Sequence, residues 1–336
     1  MMTSPLPDLA SALRLQRDAG DVRAALERAG RELSTGRKDD LFAASGHDPR
    51  HLLAIEASQA RAARESEGVS LSQGRVSLTQ SVMGGLGELA NELGLELSAS
   101  LARGDYNSAR IHAAGAQDAF RAAVQNLNTR YGGRTLFAGA AVDQPALAPP
   151  DDILADVSAL LAGAVDAADA IAQVDFYFDD PAGGFAATRF LGSAEDAPRA
   201  TIDEGASVDI SRRADDPEVR ALLKGLALAA ATVDPAYAGP ADAETDLLGH
   251  AADVTVASRE LIVQSQAMLG LSEQRLEEAS VRISARRDAL DIAWNDATSR
   301  DPFDAATEFQ AVEQQLERVF AVTARMSRLT LLDFLR

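Results

Sequence analysis

The residues of this chain best placed by type and spacing to do chemistry are His47 and His51. They lie four apart, the separation that sets two imidazoles on one side of a helix start in two-His metal sites. No third ligand is near them in sequence, and His112 and His250 are far away, so the pair is expected to be a polar turn without a metal. The acidic pairs Asp179-Asp180 and Asp215-Asp216 each adjoin a proline and lack the ligand periodicity of a calcium loop, which makes them solvated turns. Gly132-Gly133 and Gly183-Gly184 are not followed by the Gly-Lys-Ser/Thr of a phosphate loop or by a dinucleotide fingerprint, so they too read as turns. Cysteine is absent, which excludes disulfides and thiolate chemistry. Trp294, just before a helix break, is expected to be a buried anchor. No local constellation supplies a nucleophile, a base and an orienting group, so neither an enzyme nor a cofactor is expected.

Composition points the same way. The chain has 336 residues, enough for roughly two domains, with 46% hydrophobic residues but only 5% aromatic, which favours thin helix seams over thick aromatic cores. Lys plus Arg total 32 against 51 Asp plus Glu, a formal charge of −19. A surface this acidic is repelled by phosphate backbones and anionic membranes, and no focused basic patch offsets it, so neither nucleic acid nor a membrane is an expected partner. The start, Met1-Met2-Thr3-Ser4-Pro5, has neither the basic leader nor the apolar core of a signal peptide, and no run is long enough to span a bilayer.

What the sequence does carry is heptad seams. From Asp301-Pro302 onward, Ala305, Phe309, Val312, Leu316, Val319, Thr323, Met326 and Thr330 recur at alternating steps of four and three. Pro302 suits a helix start, having no N–H to leave orphaned, and Asp304 and Glu308 favour the positive end of the dipole. Leu15, Ala19, Val22, Leu26, Ala29 and Leu33 repeat the spacing near the other terminus. Neither seam can stay in water alone, so the two are expected to lie side by side. Gly36 is placed to cap the first helix and Asp48-Pro49 to start the next, in which Ile55, Ala62, Val69, Val76, Met83, Leu86, Ala90 and Leu97 hold one register, with Gly84, Gly85 and Gly87 threatening its continuity. A third helix is expected from the turn at Gly104 to about Arg130. Much later Ile262, Leu269, Leu276, Ile283 and Leu290 fall at every seventh position of another long helix.

Between these helices the pattern changes. Tyr131 to Gly139 reads as a glycine-bounded extended exit. Asp175-Phe176-Tyr177-Phe178-Asp179, Thr188 to Gly192 and Arg199 to Ile210 are short and alternating, as strands of a small antiparallel sheet would be, with a helix from Val219 to Ala231 beneath. The expected fold is thus mainly α with a β-rich insert (α+β): a long antiparallel helical bundle built from both termini, 1–140 and 243–336, and a small mid-chain β domain, 141–242. Prolines bracket the segment from about Ala146 to Gly239, which makes it read as removable without harm to the helices.

Three stretches resemble a known family. Leu33-Ser34-Thr35-Gly36-Arg37 followed by Asp48-Pro49 is similar to the first interhelical turn of the flagellar hook-associated proteins of the hook–filament junction, the third of them, where flagellins more usually show a double acidic residue followed by Ala. Leu136-Phe137-Ala138-Gly139 resembles the family's exit from the helical core. Gln314-Gln315-Leu316 with Leu329-Thr330-Leu331-Leu332-Asp333-Phe334-Leu335 is similar to its C-terminal helix. The inserted Asp39-Asp40-Leu41-Phe42 and the His47 before Asp48 depart from the pattern and bear on the conformation of that loop.

The resemblance implies a secreted structural subunit that leaves through the flagellar type III export channel and assembles outside the cell between hook and filament. Its partners would be itself, the neighbouring hook-associated protein, flagellin and an export chaperone. Assembly would be carried by Leu15, Val22, Leu26, Leu33, Phe309, Val312, Leu316, Val319 and Met326. Two other readings remain: flagellin itself, which polymerises in the same manner, and a cytosolic coiled-coil scaffold.

Overall fold

The structure is a computed structural model describing residues 6–44, 48–203, 205–240 and 243–334, with side chains described for 13–43, 48–202, 205–240 and 243–325. It is mainly helical. Helix α1 (Leu6–Thr35) ends at Gly36, whose φ of +65° is the left-handed conformation that glycine adopts without strain, and whose N–H donates to the Glu32 carbonyl at 2.8 Å. The inserted Asp39-Asp40 stretch starts a single turn of helix, α2 (Leu41–Ala44), with Asp40 accepting from the Ala43 N–H. Helix α3 (Arg50–Ala102) then opens where Asp48-Pro49 is expected to start it: the Arg50 N–H donates to the Asp48 carboxylate at 3.1 Å. The glycines at 84, 85 and 87 do not break it.

By contact the chain divides into two compact units, Met1–Ala63 with Ala285–Arg336, and Arg64–Ser284, so α3 and the later α9 (Glu244–Thr298) each run through both. In the second unit these helices are antiparallel partners. Gln73 donates to Glu277 at 2.8 Å and Gln80 to the Gln266 carbonyl at 2.9 Å, while Gly87 faces Ile262. The α3 seam is buried here as the spacing predicts, through Val69, Val76, Met83, Leu86, Ala90 and Leu97. Ile262, Leu269, Leu276 and Ile283 are buried against it, and the intervening seam positions of α9 are small and polar: Thr255, Ser258, Ser265 and Ser272, all buried. The Thr255 and Ser258 hydroxyls donate to carbonyls of their own helix, which removes the cost of burying them.

The expected third helix is two, α4 (Tyr106–Ala114) and α5 (Ala116–Leu127), parted at Gly115; Asp105 caps the first by accepting from the Ser108 N–H. A two-residue hairpin follows, β1 (Arg130–Tyr131) with β2 (Arg134–Thr135), turning through Gly132 and Gly133. Leu136, Phe137 and Ala138 are then buried, pinned when the Ala214 N–H donates to the Phe137 carbonyl and the Ser193 N–H to that of Ala138.

The mid-chain segment departs from expectation. Helices α6 (Pro150–Gly163) and α7 (Ala167–Asp179) occupy its first part, so the Asp175–Asp179 stretch read as a strand is the last turn of a helix. Its apolar residues sit at helical spacing, with Ala170, Val174, Tyr177 and Phe178 buried and Phe176 exposed. Thr188 and Arg189 lie in a π-type turn, Phe185–Arg189, whose Phe185 ring packs 5.2 Å from that of Phe178. Arg189 clamps this turn to α6, donating from Nε and Nη2 to Asp156 at 2.6 and 2.9 Å, and the Tyr177 hydroxyl donates to the same carboxylate at 2.7 Å. The Arg189 hydrogen bonds chiefly hold the Asp156 carboxyl below its ordinary pKa, against its partial burial.

Among the described residues after β2, strands form only at β3 (Ala200–Asp203) and β4 (Ala206–Val208), an antiparallel hairpin whose Ala200 and Val208 pack with Ile210 over Val69 and Val76 of α3 and Leu276, Ala279 and Ile283 of α9. The β content is therefore small. Helix α8 (Pro217–Val233) does not lie beneath this hairpin: almost wholly buried, it packs against α4, α5, α6 and α7. One core joins Phe120, Phe137, Phe178, Leu222 and Leu269, so the boundaries expected at 140/141 and 242/243 both fall inside it.

α8 also buries a charge. The Lys224 ammonium donates to Asp175 at 2.8 Å and to Asp179, both on α7, and His250 of α9 stands 3.1 Å from the same Asp175 oxygen. Burial acts to raise the Asp175 pKa, but hydrogen bonds from Lys224 and His250 outweigh it, so this carboxyl titrates below its ordinary range. Lys224→Met keeps the aliphatic stem and strands two carboxylates. Because both are partly exposed, the expected loss is about 1–3 kcal/mol rather than that of a fully buried pair. A folded-state pKa below the unfolded one gives stability that is present above the ordinary carboxylate range, near pH ~4, and is lost as pH falls through the depressed value. Urea unfolding of the two proteins should therefore differ at pH 7 and converge toward acid; a difference that stays constant with pH would contradict the assignment.

Candidate assembly surface

In the unit made of both termini, α1 packs against α10 (Pro302–Phe334), the helix that closes the chain. The turn between α9 and α10 is built by Asp301, whose carboxylate accepts from the Phe303 and Asp304 N–H groups at 2.7 and 3.2 Å while Pro302 occupies the first helical position. This turn is tied to the end of α1. The Lys38 N–H donates to the Thr298 carbonyl and the Arg300 N–H to that of Gly36, both at 2.9 Å, and the Lys38 ammonium reaches the Ala297 carbonyl. Arg31 donates bidentately to Asp39 at 3.0 and 2.8 Å, and Arg300 pairs with both Glu32 and Glu308. The corner thereby starts the two helices side by side.

From that corner they run antiparallel. Gly30 faces the Phe309 ring, and further along Arg23 lies 5.1 Å over the centre of the Phe320 ring. The terminal seams thus meet, as their matching spacing predicts. Of the residues expected to carry assembly, only Val22 is buried; Leu15, Leu26, Phe309, Val312, Leu316 and Val319 are half-buried. Leu33 is 40% exposed, so it is not a sealed seam position. Met326 lies outside the described side chains. Ala29 and Ala305 are buried, small residues that let the helices approach closely, while Phe303, Phe320 and Val322 stand exposed. Phe320 and Val322 escape the heptad reading because they sit just off the seam.

Two helices cannot seal an apolar seam on their own. A helix with a stripe wider than one neighbour covers presents the remainder to water, which is the condition of α1 and α10. Their half-covered residues contrast with the α3 seam of the other unit, where Val76, Met83, Leu86 and Leu97 are inaccessible. In the terminal unit α3 contributes Ile55 and Ala62, both buried, and Gln59 donates to Asp291 of α9 at 2.7 Å.

The residues weighed for chemistry are not brought together. His51 is exposed at the start of α3, and His47 lies outside the described residues. Asp215 and Asp216 are not solvated turn residues but largely buried around Arg213, at 3.1 and 3.5 Å, and burial raises both carboxyl pKa values despite that cation. Among the described residues no cluster of three or more potential ligands could hold a metal, and no helix is long and apolar enough to cross a membrane. Trp294 is half-buried rather than a sealed anchor.

No curated protein matches the chain in sequence. Among solved structures it is similar to a Vibrio parahaemolyticus protein assigned as a flagellar hook-associated protein, at 13% identity and a TM-score of 0.46, over 75% of this chain and 99% of that one. Residues 254–335, which comprise most of α9 and α10, match the family model of the bacterial flagellin C-terminal helical region, and over that stretch the chain is similar to flagellins.

Proposed function

We propose that the protein is a structural subunit of the bacterial flagellum, of the hook-associated kind, which forms part of the junction between hook and filament. The observation that carries this reading is the likeness of residues 254–335 to the flagellin C-terminal helical region. The half-covered faces of α1 and α10 support it, because such seams are completed when further helices from neighbouring copies are laid beside them. Its mechanism is packing, and no residue is assigned a chemical step. Partners are other copies of the chain, the neighbouring hook-associated protein and flagellin, with an export chaperone covering the seams before assembly. Export through the flagellar type III channel places it outside the cell.

The same likeness to flagellin favours a second reading, that the chain is a filament subunit. Quantitative proteomics of sheared flagella separates the two. A junction component is expected at trace abundance against the major subunit and enriched near the hook, whereas a filament subunit would dominate the preparation. Absence of the chain from sheared flagella, with retention in the cytosol, would overturn both in favour of an internal coiled-coil scaffold.

A further inference from the structure

Within the Arg64–Ser284 unit, Arg110, Arg121, Arg189 and Arg213 each face a carboxylate. Arg75 does not. It lies half-buried on α3, and its only hydrogen bond among the described residues runs from Nη2 to the Leu136 carbonyl at 3.5 Å, too long to satisfy a guanidinium. Arg134, in β2, stands opposite Tyr131 of β1, so the two side chains share one face of the hairpin. That face meets α3 beside Arg75: a Cβ on Gly74 would fall 2.1 Å from the Tyr131 hydroxyl oxygen, so only glycine lets the phenol lie there. The hydroxyl has no hydrogen-bond partner among the described residues. Burial, and then the charge of Arg134, both lower the Arg75 pKa, with no carboxylate acting in the other direction.

Two cations and a hydroxyl donor thus lie on neighbouring positions of the hairpin and α3, in a chain carrying 51 acidic and 32 basic residues. Each guanidinium offers a planar fork of donors that fits a two-oxygen acceptor, and a bound anion would relieve the repulsion between them. We propose that Arg75, Arg134 and Tyr131 form a surface site for an oxyanion of carboxylate or phosphate type. Two sources supply that chemistry: an acidic side chain of a second copy, or free inorganic phosphate. The inference does not rest on the flagellar reading.

The test uses the full-length, 15N-labelled chain. Arginine Nε–Hε resonances are followed while sodium malonate or potassium phosphate replaces chloride at constant ionic strength, with sedimentation equilibrium run over a wide range of protein concentration. Saturable shifts of a small subset of resonances are expected. Arg134→Gln, at an exposed strand position, should weaken binding about tenfold or more, and Tyr131→Phe, which keeps the ring, by a smaller factor. Self-association that malonate reverses and Arg134→Gln abolishes identifies a second copy as the source; saturable binding by a chain that stays monomeric identifies the free anion. Shifts that grow linearly with either anion, or binding unchanged in Arg134→Gln, would overturn the proposal.

Discussion

Removal of residues 146–239, with the ends rejoined by a short flexible linker, is expected to unfold the Arg64–Ser284 unit. The excised stretch contains α8, which covers the buried faces of α4 and α5, together with α6 and α7, which pack on α8. Ile153, Leu161, Val174, Phe178, Leu222 and Leu226 would vanish from one core, and Phe120, Val124, Leu127 and Phe137 would be left facing water. Each large side chain so affected is worth about 1.5–3 kcal/mol, so the total is on the order of tens of kcal/mol. A domain's net stability is only about 5–15 kcal/mol, and a linker, costing little entropy, cannot make up the difference. The deletion protein should show no cooperative thermal transition for this unit, collapsed near-UV dichroism and strong binding of a hydrophobic dye. A cooperative transition with native near-UV signal would show that the long helices stand without the inserted ones.

Leu316→Asp is expected to abolish assembly while leaving the Arg64–Ser284 unit folded. Leu316 is half-buried on the α10 face that meets α1, in register with Phe309, Val312 and Val319. In the free chain the new carboxylate can turn toward water, so the local cost is modest. Once a neighbouring copy covers the seam that escape is closed, and an unpaired charge there costs several kcal/mol. The control is Gln315→Asp, which adds the same charge at an exposed position one residue away. If the chain has the junction role proposed above, then in cells lacking the native chain the Leu316 variant should be exported normally yet leave filaments unattached, and the Gln315 variant should restore attachment. Attached filaments with Leu316→Asp would remove the seam from the assembly mechanism.

The difference between those two predictions reflects which features were legible from the chain alone. Seams of alternating four and three steps specify a helical face wherever the helix ends, and each end here has its own local chemistry. Gly36 supplies a left-handed cap, Asp48 and Asp301 accept orphaned N–H groups, and Pro302 occupies a position with no donor to lose. The buried α3 and α9 seams and the pairing of α1 with α10 therefore follow from spacing. The small polar series Thr255, Ser258, Ser265 and Ser272, which keeps the register of Ile262 and Leu269, emerged only from the structure. The candidate assembly residues were legible as a stripe, whereas the degree to which one partner covers it was not, since spacing says nothing about the width left over.

Only the tertiary structure decided the middle of the chain. Asp175-Phe176-Tyr177-Phe178-Asp179 alternates over five residues, too few to separate a period of two from one of 3.6. The decision lies in contacts beyond the window: Ala170, Val174, Tyr177 and Phe178 form one helical face only because α6 and α8 are there to receive it, and Asp156, Lys224 and His250 are there to hold Tyr177 and the two acidic residues. Strand propensity in so aromatic a stretch is a statement about fitting a half-buried surface. Here the surface on offer is a groove between helices, and burying three helix faces at once outweighs a preference that spans only about 1 kcal/mol.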